Sequence, residues 1–171
     1  MILLKFVYEK VKKKPAPYYY DYSILSVIIK PIRKFVANVI APNCVSRHIR
    51  IFLYRLCGIK IGKHCFIGMK CYFDDTCYGD IKIGRGVTIS YGVYLCCHGK
   101  RQKNAPIVIG DSAYIGMRAG IISKNADGTE KGVHIGERAT IGADTLVNRD
   151  IPPDATAVGV PCRIIKERVI S

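Results

Sequence analysis

An aliphatic residue followed by a small or polar one recurs every six residues along most of this 171-residue chain. In VHIGERATIGADTLV, residues 133–147, the pairs are Ile135-Gly136, Ile141-Gly142 and Val147-Asn148. Ile61-Gly62, Ile67-Gly68 and Phe73-Asp74 keep the same step. So do Ile83-Gly84, Ile89-Ser90 and Leu95-Cys96, and then Ile109-Gly110, Ile115-Gly116 and Ile121-Ile122. A helix repeats at 3.6 residues and a half-buried strand at 2, so neither produces a beat of six. A parallel β-helix does, with one short strand and one corner per repeat and a glycine that eases the corner's backbone. Each aliphatic side chain then stacks on its equivalent one coil away, and only the stack of coils buries that face. Independent hairpins would show alternation and variable spacing instead. The expected fold class is therefore all-β: a parallel β-helix over residues 59–171, ending in a short tail and preceded by a basic helical segment over 1–58.

Charge marks that first segment. The net charge is +14, and twelve of the 27 basic residues lie within 1–60, against only Glu9 and Asp21. Ile24, Val27/Ile28, Ile32, Phe35/Val36 and Val39/Ile40 recur at helical spacing with Lys30, Arg33 and Lys34 between them. Pro31 should start or kink that helix. Ile49, Phe52/Leu53 and Leu56 suggest a second, shorter helix ending near Gly58. Two readings are open: a helical cap on the end of the β-helix, or a basic amphipathic segment, residues 1–45, lying on an anionic membrane. Nucleic acid is not expected, because Tyr18, Tyr19 and Tyr20 belong to no recognisable module. The apolar stretches, cut by Lys30 and Arg33, fall short of the roughly 18 residues a membrane span needs. MILLKFVYEKVKKKP places its apolar residues before its charges, unlike a signal peptide, so the expected location is cytoplasmic, at the inner face of the membrane if the basic segment docks there.

The eight cysteines read as core side chains, since Cys65, Cys71 and Cys77 fall on the six-residue beat. No C-x-x-C pair occurs, so a structural zinc site lacks its usual spacing, and no metal is expected in catalysis. Free thiols suit a reducing compartment. The beat is interrupted at CCHGKRQKNAP (96–106) and SKNADGTEKG (123–132). Loops leaving a rigid scaffold are where function concentrates, and a coil filled with aliphatic side chains has no internal cavity for chemistry.

The six-residue repeats, the His in YLCCHGK and the terminal TIGADTLVNRDIPPDATAVGVPCRIIKE resemble the hexapeptide-repeat acyltransferases, in particular the galactoside, maltose and polysaccharide O-acetyltransferase branch. The resemblance covers about residues 58–168. It implies a left-handed parallel β-helix, a homotrimer with sites between neighbouring subunits, acetyl-CoA as donor and a sugar or saccharide hydroxyl as acceptor. It also implies His98 as the catalytic base. An imidazole, with a reference pKa near 6.5, can take the proton of a hydroxyl that attacks a thioester. The backbone N–H of Met117 matches the oxyanion donor, and Asp75, with Asp74 beside it, matches an acceptor-contacting carboxylate. Ala143 matches a position where the coil packs on the pantetheine arm. Asn148 and Arg149 match a pair bordering the coenzyme, and Arg163 and Lys166 match basic residues near its phosphates.

The chain departs from that pattern in places. IGMKCYF lacks the family's acceptor-site Asn, Tyr114 stands where Trp is usual, the loop after His98 is short and 123–132 is extra. Serine O-acetyltransferases share the scaffold but carry their catalytic His on an earlier coil, where CYFDDT has none. The γ-class carbonic anhydrases need three convergent histidines, and His64, His98 and His134 are not at that spacing. A non-catalytic scaffold is the remaining alternative, disfavoured by His98 and the tail.

Overall fold

The computed structural model describes residues 2–15, 24–98, 104–123 and 131–166. The chain divides into two compact units, Met1–Phe35 and Val36–Ser171. The first holds α1 (Ile2–Lys12) and α2 (Ile24–Phe35). α2 neither starts nor stops at Pro31 but runs through it, with one backbone donor missing there. Phe6, Val7 and Val11 of α1 and Ile28, Ile29, Ile32 and Phe35 of α2 are exposed.

The second unit opens with a π-helical turn (Val36–Ile40), α3 (Ala41–Asn43) and α4 (Arg47–Leu56), so the helical periodicity expected through Ile40 changes pitch after Phe35. The strands then follow in threes. β1 (Lys60–Ile61), β2 (Phe66–Ile67) and β3 (Tyr72–Phe73) make the first coil. β4 (Ile81–Ile83), β5 (Thr88–Ile89) and β6 (Tyr94–Cys96) make the second. β7 (Ile107–Ile109), β8 (Tyr114–Ile115) and β9 (Gly120–Ile122) form the third, and β10 (Val133–Ile135), β11 (Thr140–Ile141) and β12 (Leu146–Val147) the fourth. Equivalent strands pair in parallel. Sheet A is β1-β4-β7-β10, sheet C is β3-β6-β9-β12, and sheet B runs β2-β5-β8-β11 and on to β13 (Thr156–Val158), with β14 (Arg163–Lys166) returning antiparallel at its edge.

The register is the six-residue beat made physical. Ile67, Ile89, Ile115 and Ile141 stack in one column, and Phe73, Leu95, Ile121 and Val147 in another, all fully buried. Each such side chain is worth about 1.5–3 kcal/mol when taken from water. The repeat glycines serve a purpose other than the expected one. The left-handed corner conformation falls two residues later, on Ser112, Arg118, Arg138 and Asp144, among others. Gly116 is instead required by close approach: a Cβ there would lie 2.6 Å from the Ala143 nitrogen of the next coil.

α4 closes the open end of the coil stack. Arg50, 2 % exposed, donates from Nε to the Ile67 carbonyl at 2.8 Å and from Nη1 to that of Cys44. The Tyr54 hydroxyl donates to the Cys71 carbonyl at 3.2 Å, and its ring lies 4.5 Å from that of Phe73. No disulfide links any of the eight cysteines; Cys71 and Cys77 are buried and Cys65 half-buried.

Three strands at a six-residue step would close a coil in about 18 residues. The observed offset is 22 residues from Tyr72 to its partner Tyr94, and 26 from Leu95 to Ile121. The extra residues leave at one corner, between sheet C and the next strand of sheet A. Residues 99–103 and 124–130 of the two interruptions lie outside the described residues.

Candidate active site

That corner carries His98. β6 delivers Cys96 and Cys97 to it, and a bridge between His98 and Asn104, with the Ala105 N–H donating to the Cys97 carbonyl at 2.9 Å, pins the base of the loop. The parallel pairing of β3 with β6 brings Asp74 alongside Cys96, so the carboxylate sits directly behind the imidazole. Asp74 Oδ2 lies 2.5 Å from His98 Nδ1 and accepts the backbone N–H groups of Cys97 at 2.8 Å and His98 at 3.0 Å. Its Oδ1 accepts the N–H of Thr76 at 3.1 Å and the Thr76 hydroxyl at 2.8 Å.

The electrostatics follow from those contacts. Burial alone would raise the Asp74 carboxyl, but donors from Thr76, His98 and Cys97 outweigh it and hold the group at about 2. An ionised carboxylate only accepts hydrogen bonds, so Nδ1 must carry a proton, and in the neutral ring Nε2 is the nitrogen with the lone pair. The His98 side chain is 40 % exposed while Asp74 is fully buried. Both Asp74 oxygens are engaged inside the protein, so this carboxylate, expected beside the acceptor, points at His98 and away from solvent. Asp75, half-buried at the same corner, is the carboxylate nearer the surface.

The remaining predicted residues fall into two groups. Met117 and Ala143 occupy the corner before sheet C, one coil apart, with the Asp144 N–H donating to the Met117 carbonyl at 2.9 Å. Among the described residues the Met117 N–H makes no hydrogen bond, and its side chain is exposed. Arg118 clamps Asp144 with two 2.7 Å contacts, bracing that corner. Arg163, exposed, pairs in register with Val158 at the same edge, and Lys166 pairs with Thr156 at the strand's far end. Asn148 and Arg149 follow β12 and share the His98 corner, two coils on. Asn148 Oδ1 is buried with no hydrogen-bond partner among the described residues. One chain therefore holds His98 and the Met117 N–H, the expected base and oxyanion donor, on opposite edges of sheet C.

Sequence reasoning missed Thr76 and the contact of Asp74 with His98. The signal was present in the coil offset: 22 residues on from Asp74 lies Cys96, and from Thr76, His98. Cys97, whose carbonyl accepts the Ser123 hydroxyl at 2.8 Å, was likewise placed by stacking rather than by any local motif.

A family model described as the hexapeptide repeat of succinyl-transferase matches residues 58–97 and 106–149. A galactoside O-acetyltransferase of Escherichia coli (strain K12) is 36% identical over 120 residues, covering 62% of this chain and 55% of the relative. A putative acetyltransferase of Staphylococcus aureus (strain COL) is 34% identical over 118 residues, covering 64% and 55%. The chain thus spans about half the length of the curated relatives it matches. The crystal structure of a hexapeptide-repeat acetyltransferase of Vibrio cholerae O1 biovar eltor, complexed with acetyl coenzyme A, superposes with a TM-score of 0.66 at 24% identity over 85% of this chain and 90% of that one. The six-residue register, the three parallel sheets and these likenesses agree: the fold is a left-handed parallel β-helix, and the chain belongs to the hexapeptide-repeat acyltransferase family.

Proposed function

We propose that this protein is an acetyl-CoA-dependent O-acetyltransferase acting on a hydroxyl of a sugar or polysaccharide precursor, with His98 as general base. The observation that carries the reading is the half-exposed imidazole whose Nδ1 is fixed on a buried, ionised Asp74. The bound coenzyme supplies the acetyl group as a thioester. His98 Nε2 accepts the proton of the acceptor hydroxyl as its oxygen attacks the thioester carbonyl, and later returns it to the departing thiolate. The Met117 N–H is suited to the oxygen on which negative charge develops. Ala143 leaves room for the pantetheine arm, and Arg163 and Lys166 answer the charge of the phosphates. Asn148, whose carbonyl oxygen has no partner among the described residues, and Arg149 border the coenzyme, and Asp75 faces the acceptor.

The separation of His98 from Met117 supports a site shared between chains. In a homotrimer the corner after sheet C of one subunit meets the corner before sheet C of its neighbour, and the two halves join. The test is acetyl-CoA consumption with galactosides, maltose and serine as acceptors. A sugar should support turnover. Turnover with serine alone would favour the serine O-acetyltransferase reading, and none with any acceptor the non-catalytic one.

A second reading concerns the membrane. The outer stripe of α4, Ile49, Phe52 and Leu56, is 53–68% exposed, with Arg47 and Arg55 beside it, while the charged Arg50 faces inward. No described helix is long and apolar enough to cross a membrane. We infer peripheral docking on anionic lipid through residues 1–45, at the inner face of the membrane; the α4 stripe has the same apolar-and-basic character on its own unit. Binding to anionic vesicles should weaken strongly with salt; absence of binding at low salt would leave the segment as a cap alone.

A further inference from the structure

Three unlike donors meet at the His98 corner. Asp74 Oδ2, Cys96 Sγ and His98 Nδ1 come from two neighbouring coils and all lie within 4.8 Å of one another. Nδ1 is 2.5 Å from Oδ2 and 3.9 Å from the sulfur. Carboxylate, thiolate and imidazole together suit Zn²⁺, whereas Mg²⁺ and Ca²⁺ want oxygen throughout. Donors around a tetrahedral zinc stand about 3.3–3.8 Å apart, given bonds of about 2.0–2.3 Å. The sulfur, at 3.9 Å from Nδ1, must close by a few tenths of an ångström, and the Nδ1–Oδ2 pair must open by less than about 1 Å. The movement falls on His98, because Asp74 is held by Thr76 and by the Cys97 N–H, the hydrogen-bonded shell that orients a ligating carboxylate. The exposed side of the imidazole leaves a fourth position open to solvent.

We propose that Asp74, Cys96 and His98 form a binding site for Zn²⁺, and that occupancy of this site switches off the base. A neutral imidazole that binds metal through Nδ1 carries its proton on Nε2. The nitrogen that accepts the acceptor's proton in the ion-free chain then becomes a donor and cannot do so. Binding moves two protons: the Cys96 thiol proton leaves to solvent, and the imidazole proton passes from Nδ1 to Nε2. One proton is released per ion. The ion is an inhibitor, which is compatible with a reaction that needs no metal. The switch rests on His98 acting as base; the binding site does not.

Cobalt(II), added to the full-length, metal-free protein, tests the site by spectroscopy. The expected result is one equivalent per chain giving a near-ultraviolet thiolate-to-cobalt charge-transfer band that Zn²⁺ displaces. Cys96→Ser should abolish it, with Cys96→Ala as a second variant should the serine perturb folding. No band, or a band that persists in both folded variants because the ion sits on another thiol, overturns the site. In the acetyl-transfer assay Zn²⁺ should inhibit the wild type, reversibly with a chelator. Cys96→Ser should need about tenfold more zinc, or beyond, for the same fractional inhibition of its own zinc-free rate. Cobalt binding without zinc inhibition overturns the switch. If no acceptor supports transfer, the functional reading fails while the cobalt spectrum still decides the site.

Discussion

Asp74→Asn separates the role of the buried carboxylate from mere bulk. The side chain keeps its size, but one acceptor oxygen becomes an NH₂ that faces either the Thr76 donors or the N–H groups of Cys97 and His98. In the folded chain burial raises the Asp74 carboxyl and the hydrogen bonds from Thr76, His98 and Cys97 more than reverse this, holding it at about 2 against an ordinary 3.8. At 1.36 kcal/mol per pH unit, the ionised group contributes roughly 2–3 kcal/mol to stability at neutral pH. Because the folded value is depressed, this contribution is present above about pH 4, where the unfolded chain is also ionised, and is lost as pH falls through about 2. Asn has no such dependence. Urea denaturation at fixed protein concentration should show the gap between wild type and variant shrinking by roughly 2 kcal/mol from pH 7 to pH 2. Turnover should fall by about 10²–10⁴-fold with little change in the KM for acetyl-CoA, since an amide does not enforce the Nδ1–H tautomer. A gap that is the same at both pH values, together with near-normal turnover, would refute the assignment.

Three further outcomes follow from the scaffold and the tail. Arg50→Met should lower stability by roughly 2–4 kcal/mol, because the buried Ile67 carbonyl and the partly buried Cys44 carbonyl lose a charged donor; denaturation by urea measures it. Gly116→Ala should cost about 1–3 kcal/mol in a thermal or urea melt by driving a methyl group into the Ala143 corner, whereas Gly79→Ala, with nothing within 4 Å of its added Cβ, should stay within about 0.5 kcal/mol. Replacing Arg163 and Lys166 together should raise the KM for acetyl-CoA and spare kcat, as loss of uniform binding does.

Legibility in the sequence tracked periodicity. The columns from Ile67 to Ile141 and from Phe73 to Val147 could be written down from the six-residue beat, because a strictly repeating coil turns sequence spacing directly into contact. The Asp74–His98 contact was harder to read. It depends on the length of each coil, and coils lengthened by loops do not announce their offset locally. The purpose of the repeat glycines was misread for a related reason, since a clash with the next coil's backbone is invisible until that coil is placed. The inverted α4, with Arg50 inside and Phe52 outside, defied the amphipathic rule because the coil end presents carbonyls seeking donors.

The central claim is that His98 takes the acceptor's proton, and the rate of acetyl transfer by His98→Ala tests it most directly. With an accepted sugar at saturation, kcat should fall by about 10²–10⁴-fold, equivalent to roughly 3–5 kcal/mol in the chemical step, while the Kd for acetyl-CoA stays that of the wild type. Near-normal kcat in that variant would contradict the account and assign the base to another group.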